Sequence, residues 1–211
     1  MHENECAAVE AAPITVAVAT GNAHKLVEIE AILKGPLPGA SFVSSFKLSD
    51  YEEPEEDGDT FEANARIKAA AALANTQADW AVADDSGLIV DALGGAPGIH
   101  SARYAGVHGD DHANNMKLLA GLEGVPDDQR SARFCSVVVM LGADGSEYVG
   151  TGYCEGLVGY EERGGNGFGY DPLFLPDATP GRTMAEISPE EKNLISHRYN
   201  ALMDLAAKLG V

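Results

Sequence analysis

Two adjacent carboxylates, Asp84 and Asp85, interrupt an otherwise apolar stretch, WAVADDSGLIVD at residues 80–91. Residues 80–83 read as a short buried strand, Ser86-Gly87 as a turn, and Leu88-Ile89-Val90 as a second apolar run ending at Asp91. Successive strand side chains point to opposite faces, so the two acids cannot both simply face water at the mouth of a buried strand. Asp is depleted in strands and rarely buried without a partner. A divalent cation that prefers hard oxygen ligands would compensate such a pair. An acidic turn, with Asp-Ser-Gly as ordinary loop chemistry, accounts for the same residues, and both readings stand on this stretch alone.

Three further groups could meet a polyanion. Thr20-Gly21-Asn22 joins a β-rich run, ITVAVA at 14–19, to a helical pattern with Leu26, Ile29, Ile32 and Leu33 apolar. Free backbone N–H groups at such a helix start make an anion site. Lys25 lies in that first turn, where the helix dipole prefers an acid, which suggests a phosphate neighbour; an Asn-capped helix with an exposed lysine is the plainer alternative. The segment is neither a Walker A motif nor a GxGxxG fingerprint. Lys68 falls on the alanine stripe Phe61, Ala65, Ala69 and Ala72 of a helix running to about residue 75, and either snorkels out or reaches an anion in a cleft. Finally, the glycine loop RGGNGFGYDP at 163–172 carries Phe168, Tyr170 and Asp171. Glycines let backbone approach a ligand and an aromatic can stack a nucleobase, although aromatics tucked into a core would look the same.

The elements that must position these groups can be read in outline. Asp59-Thr60-Phe61-Glu62 has capping-box spacing at the start of the alanine-rich helix, just after an acidic run, YEEPEEDGD at 51–59, that contains Glu56. A short strand is expected around 41–46, irregular chain over 92–106, and a helix over 109–122. Residues 133–141 form the clearest strand, paired with 146–158 across Ala143-Asp144-Gly145 as an antiparallel hairpin. Ser188-Pro189-Glu190-Glu191 starts a helix. A straight helix would spread Lys192, His197 and Arg198 over different faces. A break with Ser196 capping a fresh helix, Leu202, Leu205 and Leu209 inward, would let them converge.

Composition narrows the function. The 211 residues are 45% hydrophobic, ordinary for a globular protein, and no apolar run approaches the roughly 20 residues of a membrane span. The start of the chain, MHENECAAVEAAP, lacks the pattern of a signal peptide and reads as a disordered acidic tail, residues 1–13, on a cytoplasmic protein whose residues 14–211 form one domain of two lobes. Cys6, Cys135 and Cys154 form no CxxC and suggest no disulfide framework. With 33 acids against 14 Lys plus Arg, the net charge of −19 argues against nucleic-acid binding. A small anionic ligand is still compatible if a local basic cluster or a metal reverses the potential. The set of Thr20–Lys25 turn, acids Glu56, Asp84 and Asp85, scattered bases and aromatic loop describes a metal-assisted nucleoside triphosphate site.

TGNAHK, DDSGLIVDALGGAPGIHSARYAG, FGYDP and SHR, in that order, closely resemble the inosine/xanthosine triphosphate pyrophosphatases, the Ham1-like non-canonical purine NTP pyrophosphatases. The resemblance runs from about residue 14 to 209. It implies an α/β fold of two lobes around an elongated mixed sheet with flanking helices, a central cleft and a homodimer. It also implies Mg²⁺-dependent hydrolysis of ITP, dITP and XTP to the monophosphate and pyrophosphate. By position, Thr20, Gly21, Asn22, Ala23, His24 and Lys25 would bind the triphosphate. Asp85 would be the catalytic carboxylate and metal ligand, with Glu56 the second metal ligand and Asp84 supporting the pair. Ser86 would touch substrate, and Lys68 and Lys192 would neutralise phosphate. Phe168, Gly169, Tyr170 and Asp171 would form the base pocket, with His197 and Arg198 reading the purine 6-oxo edge. His100 and Ala63 depart from the family pattern. A nucleotide-binding module without turnover, and a Maf-like pyrophosphatase acting on pyrimidine nucleotides, are the rival readings; Asp84-Asp85 with Lys68 weighs against the first, SHR and FGYDP against the second.

Overall fold

The computed structural model describes residues 14–48 and 51–210; the expected tail over 1–13, with Cys6, lies outside them. Two β-α-β crossovers open the chain. Strand β1 (Thr15–Val18) leads through helix α1 (Ala23–Leu33) to strand β2 (Ser41–Ser44), which pairs parallel with β1. A short helix α2 (Ser45–Leu48) and the acidic loop lead to helix α3 (Phe61–Asn75) and strand β3 (Trp80–Val90), which lies parallel to β1 on its other side. Helix α4 (Asp111–Gly121) is followed by the hairpin of β4 (Ser131–Gly142) and β5 (Glu147–Val158), and then by β6 (Phe174–Pro176). Helices α5 (Pro189–Ile195) and α6 (His197–Lys208) end the described chain. The sheet order β2-β1-β3-β4-β5-β6 is mixed, with β3 onward antiparallel. No helix among the described residues is long and apolar enough to cross a membrane.

Several local expectations needed correction. Ser86-Gly87 is not a turn: β3 runs unbroken for 11 residues because β4 offers it a continuous antiparallel partner, Ser86 opposite Ser136 and Gly87 opposite Cys135. Glycine is required there for a different reason. A Cβ on Gly87 would lie 2.4 Å from the Gly98 carbonyl oxygen and 2.5 Å from Ser101 Oγ, so the missing side chain admits the 3-10 segment Gly98–Arg103 against the strand edge. The cap of α3 is Thr60 rather than Asp59, with its side chain accepting from Ala63 N–H. The strand expected over 41–46 stops at Ser44, where Ser44 and Ser45 hydroxyls turn back to donate to the Thr20 and Val18 carbonyls.

Strand lengths make the cleft. β1 pairs with β3 only from Trp80 to Val82, so from Ala83 onward that edge of β3 has no strand beside it. One core lies under α1 and α6, built on Ile29, Leu33, Val82, Met140, Leu202 and Leu205. On the opposite face α3 packs through alanine, Ala65, Ala69 and Ala72 against Ala17, Ala81 and Ala83. The far lobe is built on Leu88, Leu118, Phe134, Leu173, Phe174 and Met184. The cleft opens between the lobes, at the freed edge of β3.

Candidate active site

Alternation along β3 sends its two central acids to opposite faces, and each meets a different helix. Asp85 faces α3. Lys68 Nζ lies 3.0 Å from Asp85 Oδ1 and 3.1 Å from Glu56 Oε1, so one ammonium bridges the strand acid and the acidic loop. Lys68 is 6% exposed; of the two fates open to it, it reaches inward, and the partners it finds within the protein are carboxylates. Burial disfavours its charge, but Asp85, Asp84 and Glu56 together hold its pKa above the ordinary lysine value. Asp85 itself is pushed up, chiefly by burial and further by Glu56 and Asp84, despite the opposing pull of Lys68.

Asp84 faces α1 and α6. Its carboxylate is buried and receives Lys25 Nζ at 3.1 Å on one oxygen and Arg198 Nε at 3.1 Å on the other. Burial opposes this charge too, yet Lys25, Arg198 and Lys68 overcome it and hold the carboxyl far below the usual range. The Arg198 guanidinium, also buried, is further held by Glu28 at 3.2 Å. The two acids that sequence places together therefore belong to separate networks, and only Asp85 lines the cleft.

That cleft measures about 710 Å³, within the range of small-molecule sites. From the sequence candidates it gathers Asn22, Lys25, Glu56, Lys68, Asp85, Ser86, Phe168, Gly169, Tyr170, Asp171, Lys192, His197 and Arg198. Thr20, Gly21, Ala23 and Asp84 lie outside the lining, with Thr20 Oγ1 turned to accept from Asn22 N–H; of His24 only the backbone, in α1, is described. Asn22 caps α1, its Oδ1 accepting from Lys25 N–H. Neither His100 nor Ala63 lines the cleft.

The convergence of the C-terminal residues follows from two glycines of β5, Gly150 and Gly152. α5 begins with a capping box of Ser188 and Glu191 and ends before Ser196, which caps α6 by accepting from Tyr199 N–H. The first turn of α6 then lies directly on β5: a Cβ on Gly152 would stand 2.1 Å from Ala201 N and 2.3 Å from the His197 carbonyl oxygen. His197 is thereby pressed against Phe134, rings 4.8 Å apart and 16° from parallel. Burial first, then Arg198 and Lys192, push its pKa well below 6.5, so the ring is neutral at pH 7. Its Nδ1 is buried with no hydrogen-bond partner among the described residues. Across the cleft Phe168 is 57% exposed, with Lys192 Nζ 4.8 Å from its ring centre and bonded at 2.5 Å to Asp171.

Sequence reasoning passed over Asn64, Glu28, Asp111 and Asn115, and left Arg103 without a role. Asn64, fully buried one helical turn before Lys68, donates to Asp85 Oδ2 at 3.4 Å and accepts from Gly58 N–H at 2.9 Å. It thus joins the acidic loop to the second oxygen of Asp85. Its spacing from Lys68 was the available signal. Arg103 lines the cleft; its carbonyl accepts from Gly106 N–H at 2.9 Å, and among the described residues no hydrogen bond or ion pair engages its side chain. No cluster of three His, Cys, Asp or Glu suited to a metal occurs among the described residues.

Comparison with known proteins places the chain in a family. A family model described as "Ham1 family" matches residues 16–208. The chain is 46% identical over 196 residues to a dITP/XTP pyrophosphatase of Corynebacterium glutamicum, covering 91% of this chain and 95% of that one. It is 48% identical over 193 residues to a dITP/XTP pyrophosphatase of Geobacter sulfurreducens, covering 92% and 95%. Among solved structures, the Staphylococcus aureus Ham1 protein superimposes with a TM-score of 0.82 at 40% identity, covering 92% of this chain and 97% of that one. On the extent of the family match and of these identities, the chain belongs to the Ham1 family.

Proposed function

We propose that this protein hydrolyses non-canonical purine nucleoside triphosphates, ITP, dITP and XTP, to the monophosphate and pyrophosphate in the cytoplasm. The observation that carries the reading is Asp85 with Lys68 and Glu56 at one end of a cleft whose other side holds an exposed aromatic and a buried neutral histidine. It is supported by the relatives of C. glutamicum and G. sulfurreducens that bear the name dITP/XTP pyrophosphatase.

Asp85 and Glu56 suit Mg²⁺, which is commonly held by one or two carboxylates, with substrate phosphates and water completing its shell. The raised pKa of Asp85 marks a carboxylate whose charge Lys68 alone does not compensate. When bound, the ion would neutralise phosphate oxygens and lower the cost of charge developing on the leaving pyrophosphate. The chain supplies the rest. Asp85 orients a water molecule and takes its proton as the anhydride bond between the α- and β-phosphates breaks. Lys25 and the backbone at the start of α1, with Lys68, Lys192 and Arg103, balance the triphosphate charge in a protein of net charge −19. Phe168 offers a face for the base. Two of the five N–H groups of Arg198 are engaged by Asp84 and Glu28, which leaves those on Nη2 and one on Nη1 as donors for a 6-oxo group; adenine presents a donor there, and facing donors leave both unpaired. Asp84 acts as the counter-ion that holds Lys25 and Arg198 in place.

Pyrophosphate release measured with ITP, dITP, XTP, GTP and ATP tests the function. The first three are expected to be turned over well ahead of ATP, and EDTA is expected to abolish the rate. Equal rates on ATP, or an unchanged rate after thorough chelation, would overturn the substrate class or the metal. A homodimer is supported by the exposed apolar pair Tyr153 and Leu157 on the open face of β5; light scattering that reports one chain's mass would remove it.

A further inference from the structure

The loop that carries Phe168 is tied down at every position from 168 to 171, and most of the ties come from outside the loop. Gly167, at φ 80°, sits so close to Asp171 that a Cβ would meet its Oδ2 at 2.0 Å. Asp171 Oδ2 accepts from Phe168 N–H at 2.9 Å, and Tyr170 Oη donates to the Ser101 carbonyl at 2.9 Å. The least expected contacts fall on Gly169, which has no side chain and takes a left-handed φ of 61°. Its N–H donates to Asp111 Oδ2 at 2.7 Å, and its carbonyl accepts from Asn115 Nδ2 at 3.0 Å. Asp111 and Asn115 are four residues apart on α4, hence neighbours on one face. Both peptide groups flanking Gly169 are thus pinned by a single helix face.

The pinning residues are themselves held. Asn115 is 1% exposed, and Glu162 Oε1 accepts from the same amide nitrogen at 2.7 Å, which fixes the side chain with its donor aimed at Gly169. Asp111 is the first residue of α4, one after the cap Asp110, whose side chain accepts from Ala113 N–H. Asp110 satisfies the helix end, so the carboxylate of Asp111 is free for the loop.

We propose that Asp111 and Asn115 are positioning residues for base recognition: by holding the two peptides around Gly169 they fix where Phe168 stands over the base. The proposal rests on the nucleotide reading above for its kinetic part and on geometry alone for its structural part. It predicts that loosening either tie weakens ground-state binding and base discrimination while sparing the chemical step, since neither residue touches Asp85 or its partners. Losing one hydrogen bond from a fixed loop is expected to raise KM by about tenfold.

Four variants test this. Asp111→Ala and Asn115→Leu are expected to raise KM for ITP by about tenfold with kcat within about threefold, and to narrow the ITP-to-GTP ratio of kcat/KM. Asp111→Asn keeps an oxygen acceptor for the Gly169 N–H and is expected to restore KM. Glu162→Gln keeps an acceptor for Asn115 and should be nearly silent. Hydrogen exchange without substrate is the independent readout: amides 168–170 should exchange faster in Asp111→Ala and Asn115→Leu, with β3 and α3 unchanged. Faster exchange confined to the loop with no turnover of any purine triphosphate by the parent protein would remove the nucleotide reading and leave the clamp standing. Unchanged loop exchange, a fall in kcat at constant KM, or loss of melting temperature with kinetics and selectivity intact would each overturn the proposal.

Discussion

Replacing Asp85 with Asn is expected to lower kcat by roughly 10²–10⁴-fold, the usual scale for removing a general base, while KM for ITP moves little. The amide nearly preserves shape and keeps one oxygen for the hydrogen bond from Lys68, so the fold around α3 should survive. What it loses is the capacity to take a proton from water and to contribute a negative charge to the proposed Mg²⁺ site. Lys68 would then pair with Glu56 alone, and its excess charge should preserve affinity for a polyanion. Steady-state kinetics at saturating Mg²⁺, with a thermal melt to confirm folding, measure the effect. Near wild-type turnover would reassign the base, and Glu56 would be the next residue to test, because Asp84 is buried away from the cleft.

The second large effect is on stability. Asp84→Asn removes the anion to which Lys25 and Arg198 are both bound, leaving a buried guanidinium with Glu28 as its remaining carboxylate. Breaking a buried pair from one side costs about 3–5 kcal/mol, because the other charge stays desolvated. For a chain of this size that corresponds to a fall in Tm of roughly 6–20 °C. The pH dependence follows from the direction of the shift. Folding depresses the Asp84 carboxyl, so its contribution is present above the unfolded carboxyl's pKa, about 3.9, and disappears only as pH falls through the lower folded value. The stability gap between wild type and variant should therefore be flat across neutral pH and close only in strong acid. Urea denaturation between pH 5 and pH 8 would show it, and a gap below about 1 kcal/mol would mean that Asp84 is not the organising counter-ion.

These two neighbours in sequence lead to different predictions because they occupy different faces, and that was only half legible beforehand. Alternation along a strand required Asp84 and Asp85 to separate, and no residue-level pattern named their partners. Lys25 is 59 positions from Asp84 and Arg198 is 114; which cations arrive depends on sheet order and on how closely α6 can approach Gly150 and Gly152. The same holds for the strand itself. Ser86-Gly87 carries a strong local turn signal, and the unbroken β3 exists because a 12-residue neighbour, β4, supplies its hydrogen bonds.

What the sequence determined by itself were features set within a few residues or by a repeated pattern: the capping box at Ser188, the fresh helix after Ser196, the hairpin of β4 and β5, the inward stripe with Lys68, and the ordered motifs that mark the family. These depend on backbone preference and on neighbours at i+3 and i+4, which are present in the chain before it folds. Tertiary structure decided the rest. It divided the two acids between two networks and set Lys68 between Glu56 and Asp85. It recruited Asn64 to the Asp85 carboxylate, and turned two polar residues of α4 onto the peptides of Gly169. Each of those contacts joins elements far apart in the chain, and a polar side chain reveals its partner only once burial has removed water as the alternative.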